Sequence, residues 1–255
     1  MIDSGSLELM QARVQSRHGQ RLGDVEWQAL QNTRDFGALL AAARETTLRP
    51  WLAGLTPDVG AARIEAVLRR QWGATVDEVR GWMPAAWHAA LAWCAVLPDL
   101  PALQHLARGG TVQRDRFDDA GWRALASAAP AERGSVVATS RWAALAAAWS
   151  TPETLGQAWL AEWQRRAPAQ RGDHAAGWLG STNALRAHVQ TFAAAPAGTG
   201  EALRQDLRGR LRLLLRRTTL QPALAVVHLA LCALDLERLR GELLRRSLFV
   251  PAKVA

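Results

Sequence analysis

Apolar residues return every three or four positions along nearly the whole chain, the spacing that puts them on one face of a helix. Leu7, Met10, Val14 and Arg17 share one such face and predict a first helix ending near Gly19. Asp24 can cap a second run, in which Val25, Trp27 and Leu30 are continued by Phe36, Leu39, Leu40 and Ala43. Ile64, Val67, Leu68 and Trp72 mark another helix, and Thr75 with Glu78 has the capping-box spacing that would open one more. Gly81 to Pro98 carries no Asp, Glu, Lys or Arg, and Pro84 suits the first turn of a helix through Trp87, Leu91 and Cys94. Its glycine, prolines, histidine and alanines leave it only weakly hydrophobic, so it reads as a buried helix rather than a membrane span.

Asp99 and Pro101 open a short helix closed by Gly109 and Gly110, and Asp118 caps the Trp122–Leu125 segment. Thr151-Pro152-Glu153 starts a helix carrying Leu155, Trp159, Leu160 and Trp163. Thr199 with Glu201 starts another, and Pro222 begins the last, which reaches about Arg246. The Gly- and Pro-containing stretches 54–60, 108–115 and 195–200 read as turns. No segment alternates apolar and polar residues long enough to be a strand, so the expected fold is all-α. Trp27, Trp122 and Trp142 each precede a Leu by three residues, a faint sign of repeated helical units.

Two helices carry most of the further information. Arg204, Arg208, Arg212 and Arg216 recur every four residues beside Leu203, Leu207, Leu211 and Leu214. Such a stripe is either a solvated face, partly neutralised by Glu201 and Asp206, or a docking surface for an acidic partner or for phosphates. The last helix is apolar nearly all round in its first half, which implies burial against several others. From Asp235 it turns amphipathic, with Leu236, Leu239 and Leu243 on one side and charges on the other.

Composition narrows the chemistry. The chain has 255 residues, room for one large domain or two small ones, and about 50 of them are alanine. Its net charge of +8 is carried by arginine, for Lys253 is the only lysine. A phosphate-cradling loop of the G-x-x-x-x-G-K type, Schiff-base chemistry and a kinase-type lysine are thereby excluded. Cys94 and Cys232 are too few for a disulfide scaffold or a thiolate zinc site and read as buried thiols. There is no H-E-x-x-H, C-x-x-C or G-x-S-x-G, and the six histidines are not spaced as ligand pairs on a helix face. His88 and His228 read as core histidines, so no catalytic, metal or cofactor residue is expected. The 12 tryptophans fit helix packing; a base-stacking platform would interleave them with basic residues, whereas Trp142 to Trp149 is mostly alanine. The N-terminal 20 residues lack the apolar core of a signal peptide, and a cytoplasmic location is expected.

The final helix resembles the C-terminal signature of the C/d family of V-type ATPase rotor subunits. In that family an apolar helix runs into an E-E-I-x-N-L-R-like stretch; here Asp235-Leu236-Glu237-Arg238-Leu239-Arg240 takes its place, with Glu237 and Arg240 the best matches. At the other end, Met10-Gln-Ala12-Arg13-Val14-Gln-Ser-Arg17 is similar to the family's opening Y-x-x-A-R-V-R-A helix. Leu39-Leu40 and Thr46-Thr47-Leu48 before Trp51 follow in the family's order. The family's tyrosines are replaced, Met10 and Trp51 standing for two of them, and Arg238 stands where the family has Asn.

The resemblance implies a cytoplasmic, non-catalytic rotor part, peripheral to the membrane, that couples the central stalk to the membrane rotor ring during ion translocation. It implies three sub-bundles of helices arranged as a funnel or arc, about 1–20 plus 200–255, 24–110 and 111–198. Arg13, Arg17, Arg204, Arg208, Arg212 and Arg216 are then the expected partner-binding residues, and Ala12, Arg13, Val14, Glu237 and Arg240 the signature. A helical nucleic-acid-binding or adaptor protein is the alternative that the arginine content suggests.

Overall fold

The computed structural model describes residues 4–112, 119–196 and 198–248, and every regular element among them is helical. The α-helices are α1 (Ser4–Gly19), α2 (Asp24–Asn32), α3 (Phe36–Arg44), α4 (Ala61–Arg80), α5 (His88–Trp93), α6 (Leu100–Ala107), α7 (Ala120–Ser127), α8 (Arg133–Ala138), α9 (Leu155–Arg166), α10 (Asp173–Ala194), α11 (Gly200–Arg217) and α12 (Ala223–Ser247). Short 3-10 turns occupy Arg49–Leu52, Ala85–Trp87, Cys94–Asp99, Ala143–Ala148 and Pro152–Thr154.

The longest helix, α12, is the axis of the fold. Its first half, Ala223 to Leu229, is buried without interruption, and α1, α3, α4, α10 and α11 all pack on α12 along its length. The first and last described helices therefore meet: α1 lies on α12 and buries Leu7, Met10 and Val14. On the far side α10 packs on α9 and α11, and α9 packs on α5 and on the 143–148 turn. Tryptophans supply much of this second region. Trp122 meets Trp142 edge-on at 4.8 Å, and Trp163 reaches Trp178 at 4.7 Å, which in turn meets Trp87 at 5.1 Å. Each such pair adds about 0.5–1.5 kcal/mol beyond the area it buries. One connected core runs from Leu7 to Leu243.

Several local expectations are corrected. Thr75 and Glu78 open no helix, since α4 runs unbroken through them; the Thr75 hydroxyl donates to the Gln71 carbonyl one turn back (3.0 Å) and so is satisfied inside the helix. The run from Val25 to Ala43 is two helices, because the Asp35 carboxylate accepts the Ala38 N–H (2.7 Å) and restarts the chain as α3. Gly23, not Asp24, caps α2, with the Glu26 carboxylate returning to the Gly23 N–H at 2.6 Å. Gly81 to Pro98 is not one helix but α5 between two 3-10 turns, with Pro84 and Pro98 unable to donate to a continuous ladder. Trp142 and Trp149 flank the Ala143–Ala148 3-10 turn. Asp118 lies outside the described residues; the cap of α7 is Asp119, whose carboxylate accepts the Trp122 N–H at 3.0 Å.

Candidate functional site

Where α4, α6, α9, α10, α11 and α12 converge they leave an apolar cavity of about 470 Å³. Trp72 of α4, Trp159 and Trp163 of α9, Leu185 of α10, Leu207 of α11 and Val226 of α12 form its walls. The opening has a local cause. On α12 the cavity face carries Ala230 and Ala233 between Leu229, Leu234 and Leu236, so the small side chains fall where leucines would otherwise fill the space. The large side chains opposite are held rigidly: the Trp93 indole donates to the Trp159 carbonyl (3.0 Å) and the Trp159 indole to the Trp93 carbonyl (3.3 Å).

Charged residues line one edge of this cavity. The Arg240 guanidinium donates to Glu65 at 2.8 Å and lies 3.5 Å from Glu237, which is 3.6 Å from Arg204. Arg69 stands 3.8 Å from Glu65 and 3.4 Å from Asp99. Asp99, only 3% exposed, accepts the Trp142 indole N–H (3.0 Å) and the Trp122 indole N–H (3.3 Å) and pairs with Arg141, which also holds Asp119. The result is an unbroken ladder of alternating sign, Asp119–Arg141–Asp99–Arg69–Glu65–Arg240–Glu237–Arg204–Glu201, that ties α7 through α4 to α12 and α11. Burial pushes the Asp99 carboxyl up from its ordinary value, against the pull of Arg141, Arg69 and the two indoles.

A second buried cluster sits between α1, α11 and α12. Asp235 takes an ion pair from Arg21, and Arg208 lies 3.5 Å away on its other side. His228, one helical turn before Cys232, packs near the Trp82 ring, and burial, then Arg21, hold its pKa down at about 3. Both cysteines are buried, and burial raises the Cys94 thiol to about 12. Among the described residues no group of three or more His, Cys, Asp or Glu could hold a metal ion. Nor is any described helix long and apolar enough to cross a membrane.

The residues marked by the sequence pattern separate into distinct environments. Glu237 and Arg240 line the cavity edge, and Arg204 reaches Glu237 from beyond that lining. On α1, Val14 is buried against the core, Ala12 is exposed, Arg13 lies over the Trp82 ring at 5.8 Å and Arg17 pairs with Glu78 at 2.5 Å. Arg208 corrects the stripe: it is 4% exposed and donates to the Leu234 carbonyl at 3.4 Å, so its charge is used inside the molecule and not on a docking surface. Arg212 is half-buried and Arg216 exposed, both close enough to His18 to lower its pKa behind burial and Arg21. The sequence pattern does not mark Glu65 and Arg69, and it marks Asp99 only as a helix start. A signal is present in α4, where Glu65 and Arg69, four apart, interrupt the apolar run Ile64, Val67, Leu68 and Trp72. Neither protein-family models nor curated proteins give a match to this chain.

Proposed function

We propose that this chain is a non-catalytic coupling component of a V-type rotary ATPase or ATP synthase, seated between the central stalk and the membrane rotor ring on the cytoplasmic side. The observation that carries the reading is the apolar cavity. Its walls come from all three segments that the resemblance groups into sub-bundles: α4 and α6, α9 and α10, and α11 and α12. A hollow of this kind, floored with tryptophan and leucine, can receive an apolar helix end from the stalk. The signature residues Glu237 and Arg240 stand at its edge in the ionic ladder, which stiffens the mouth against torque. In this reading the sub-bundles form a funnel around the cavity, and the pairing of α1 with α12 closes the ring of helices.

The test is reconstitution of the purified chain with the stalk and ring proteins encoded in the same genome. A stoichiometric complex is expected. Ala233→Trp, which fills the cavity from α12 with a side chain the space can hold, should keep the helical circular dichroism and lower stalk affinity at least tenfold. Failure to assemble with either partner, or full stalk affinity in the filled variant, would refute the assignment.

A further inference from the structure

Away from the cavity, the outer face of α11 and the turn after it combine arginine and exposed leucine. Arg216 and Arg217 are exposed, and among the described residues neither lies within ion-pair reach of a carboxylate. Leu213, 54% exposed, sits one turn before them, and Leu220, 42% exposed, follows. Arginine in the last turn complements the helix dipole and needs no further reason. The leucines do. Leu220 has φ 53°, a left-handed backbone that costs a branched side chain about 1–2 kcal/mol and is ordinarily given to Gly or Asn. Its N–H is held by the Gln11 side chain of α1 at 2.5 Å, so the turn is fixed while its leucine points away from the core.

We infer that this face, Leu213, Arg216, Arg217 and Leu220, rests on an anionic phospholipid surface, the leucines entering the headgroup boundary and the guanidinium groups binding lipid phosphates. Exposed leucines and arginines side by side on one helix face suit a flat surface that presents anionic and apolar groups together. A nucleic-acid backbone would engage the arginines and leave the leucines in water. Apolar residues set among arginines match an interfacial contact, in which each cation near the surface adds to burial of the apolar side chains. The inference does not depend on the rotary reading, because it requires the isolated chain and lipid alone.

Flotation of the full chain with vesicles tests it. Binding is expected to vesicles of phosphatidylglycerol with phosphatidylcholine, to weaken as salt rises, and to be absent with phosphatidylcholine alone. Replacing both cations, Arg216→Gln with Arg217→Gln, should weaken partitioning about thirtyfold. Leu213→Ser and Leu220→Asn should also weaken it, and Leu220→Asn should leave the thermal midpoint unchanged or raised because Asn accepts that backbone. No binding to anionic vesicles, equal binding to the neutral ones, or unchanged binding in the leucine variants would overturn the inference. Retention on polyglutamate or an oligonucleotide that needs the arginines and ignores the leucines would overturn it in favour of an acidic macromolecule.

Discussion

At the scale of single residues, the structure concentrates its polar energy in a few buried groups. Asp99 is the clearest, since one carboxylate serves two indoles and two arginines from three parts of the chain. Asp99→Ala leaves those donors in apolar surroundings and should cost about 3–5 kcal/mol in denaturant unfolding. His228 gives a pH signature. Its folded pKa of about 3 lies below the ordinary 6.5, so the unfolded chain takes up a proton that the folded chain refuses as the pH falls. Stability contributed by this neutral histidine is complete above pH 6.5 and is lost on acidification down to about pH 3, at up to about 1.4 kcal/mol per unit. His228→Leu should flatten that slope between pH 6.5 and 4.5; an unchanged slope would assign the acid sensitivity elsewhere. Sequence reading reaches His228 and the cysteines because each sits alone in an apolar run. It does not reach the role of Asp99, whose helix-cap position hides the fact that its oxygens serve side chains 23, 42 and 43 residues away.

At the scale of helices, ends are legible where a local device fixes them and obscure where a distant residue does. Thr199 and Pro222 mark the starts of α11 and α12 in the sequence and in the fold. The end of α2, by contrast, is held from α12: the buried Arg246 guanidinium donates to the carbonyls of Leu30 (3.2 Å), Gln31 (2.8 Å) and Thr33 (2.5 Å). These carbonyls lie at a helix C-terminus, where the helix's own N–H donors run out and only Leu30 is also capped by the Thr33 N–H, and only the fold brings a cation to them. Arg246→Met should leave α12 formed and cost about 2–3 kcal/mol, with amide exchange rising first in α2. The arginine stripe shows the limit of periodicity. Steps of four residues advance about 40° past a full turn, so four arginines sweep around α11 rather than share a face. Hence Arg204 meets Glu237, Arg208 the buried Asp235, Arg212 the boundary near His18, and Arg216 the solvent.

For the molecule as a whole, the all-helical architecture of the described residues follows from alanine, leucine and unbroken helical periodicity, and the first and last helices pair as α1 on α12. The cavity is not legible in the sequence, because an opening depends on which small side chains face which large ones across six helices. Ala230 and Ala233 look ordinary in a chain with so much alanine. The ionic ladder beside that opening joins segments distant in sequence, which suits a part that must stay rigid while force passes through it. The coupling account stands on occupancy of the cavity, and site-specific photocrosslinking in the reconstituted rotor measures that directly. A photoreactive phenylalanine analogue at Leu97, on the cavity lining, is predicted to capture the central-stalk protein in high yield, and one at exposed Val25 is predicted to capture none of it. Capture of the stalk from Val25 but not from Leu97, or from neither, would contradict the account.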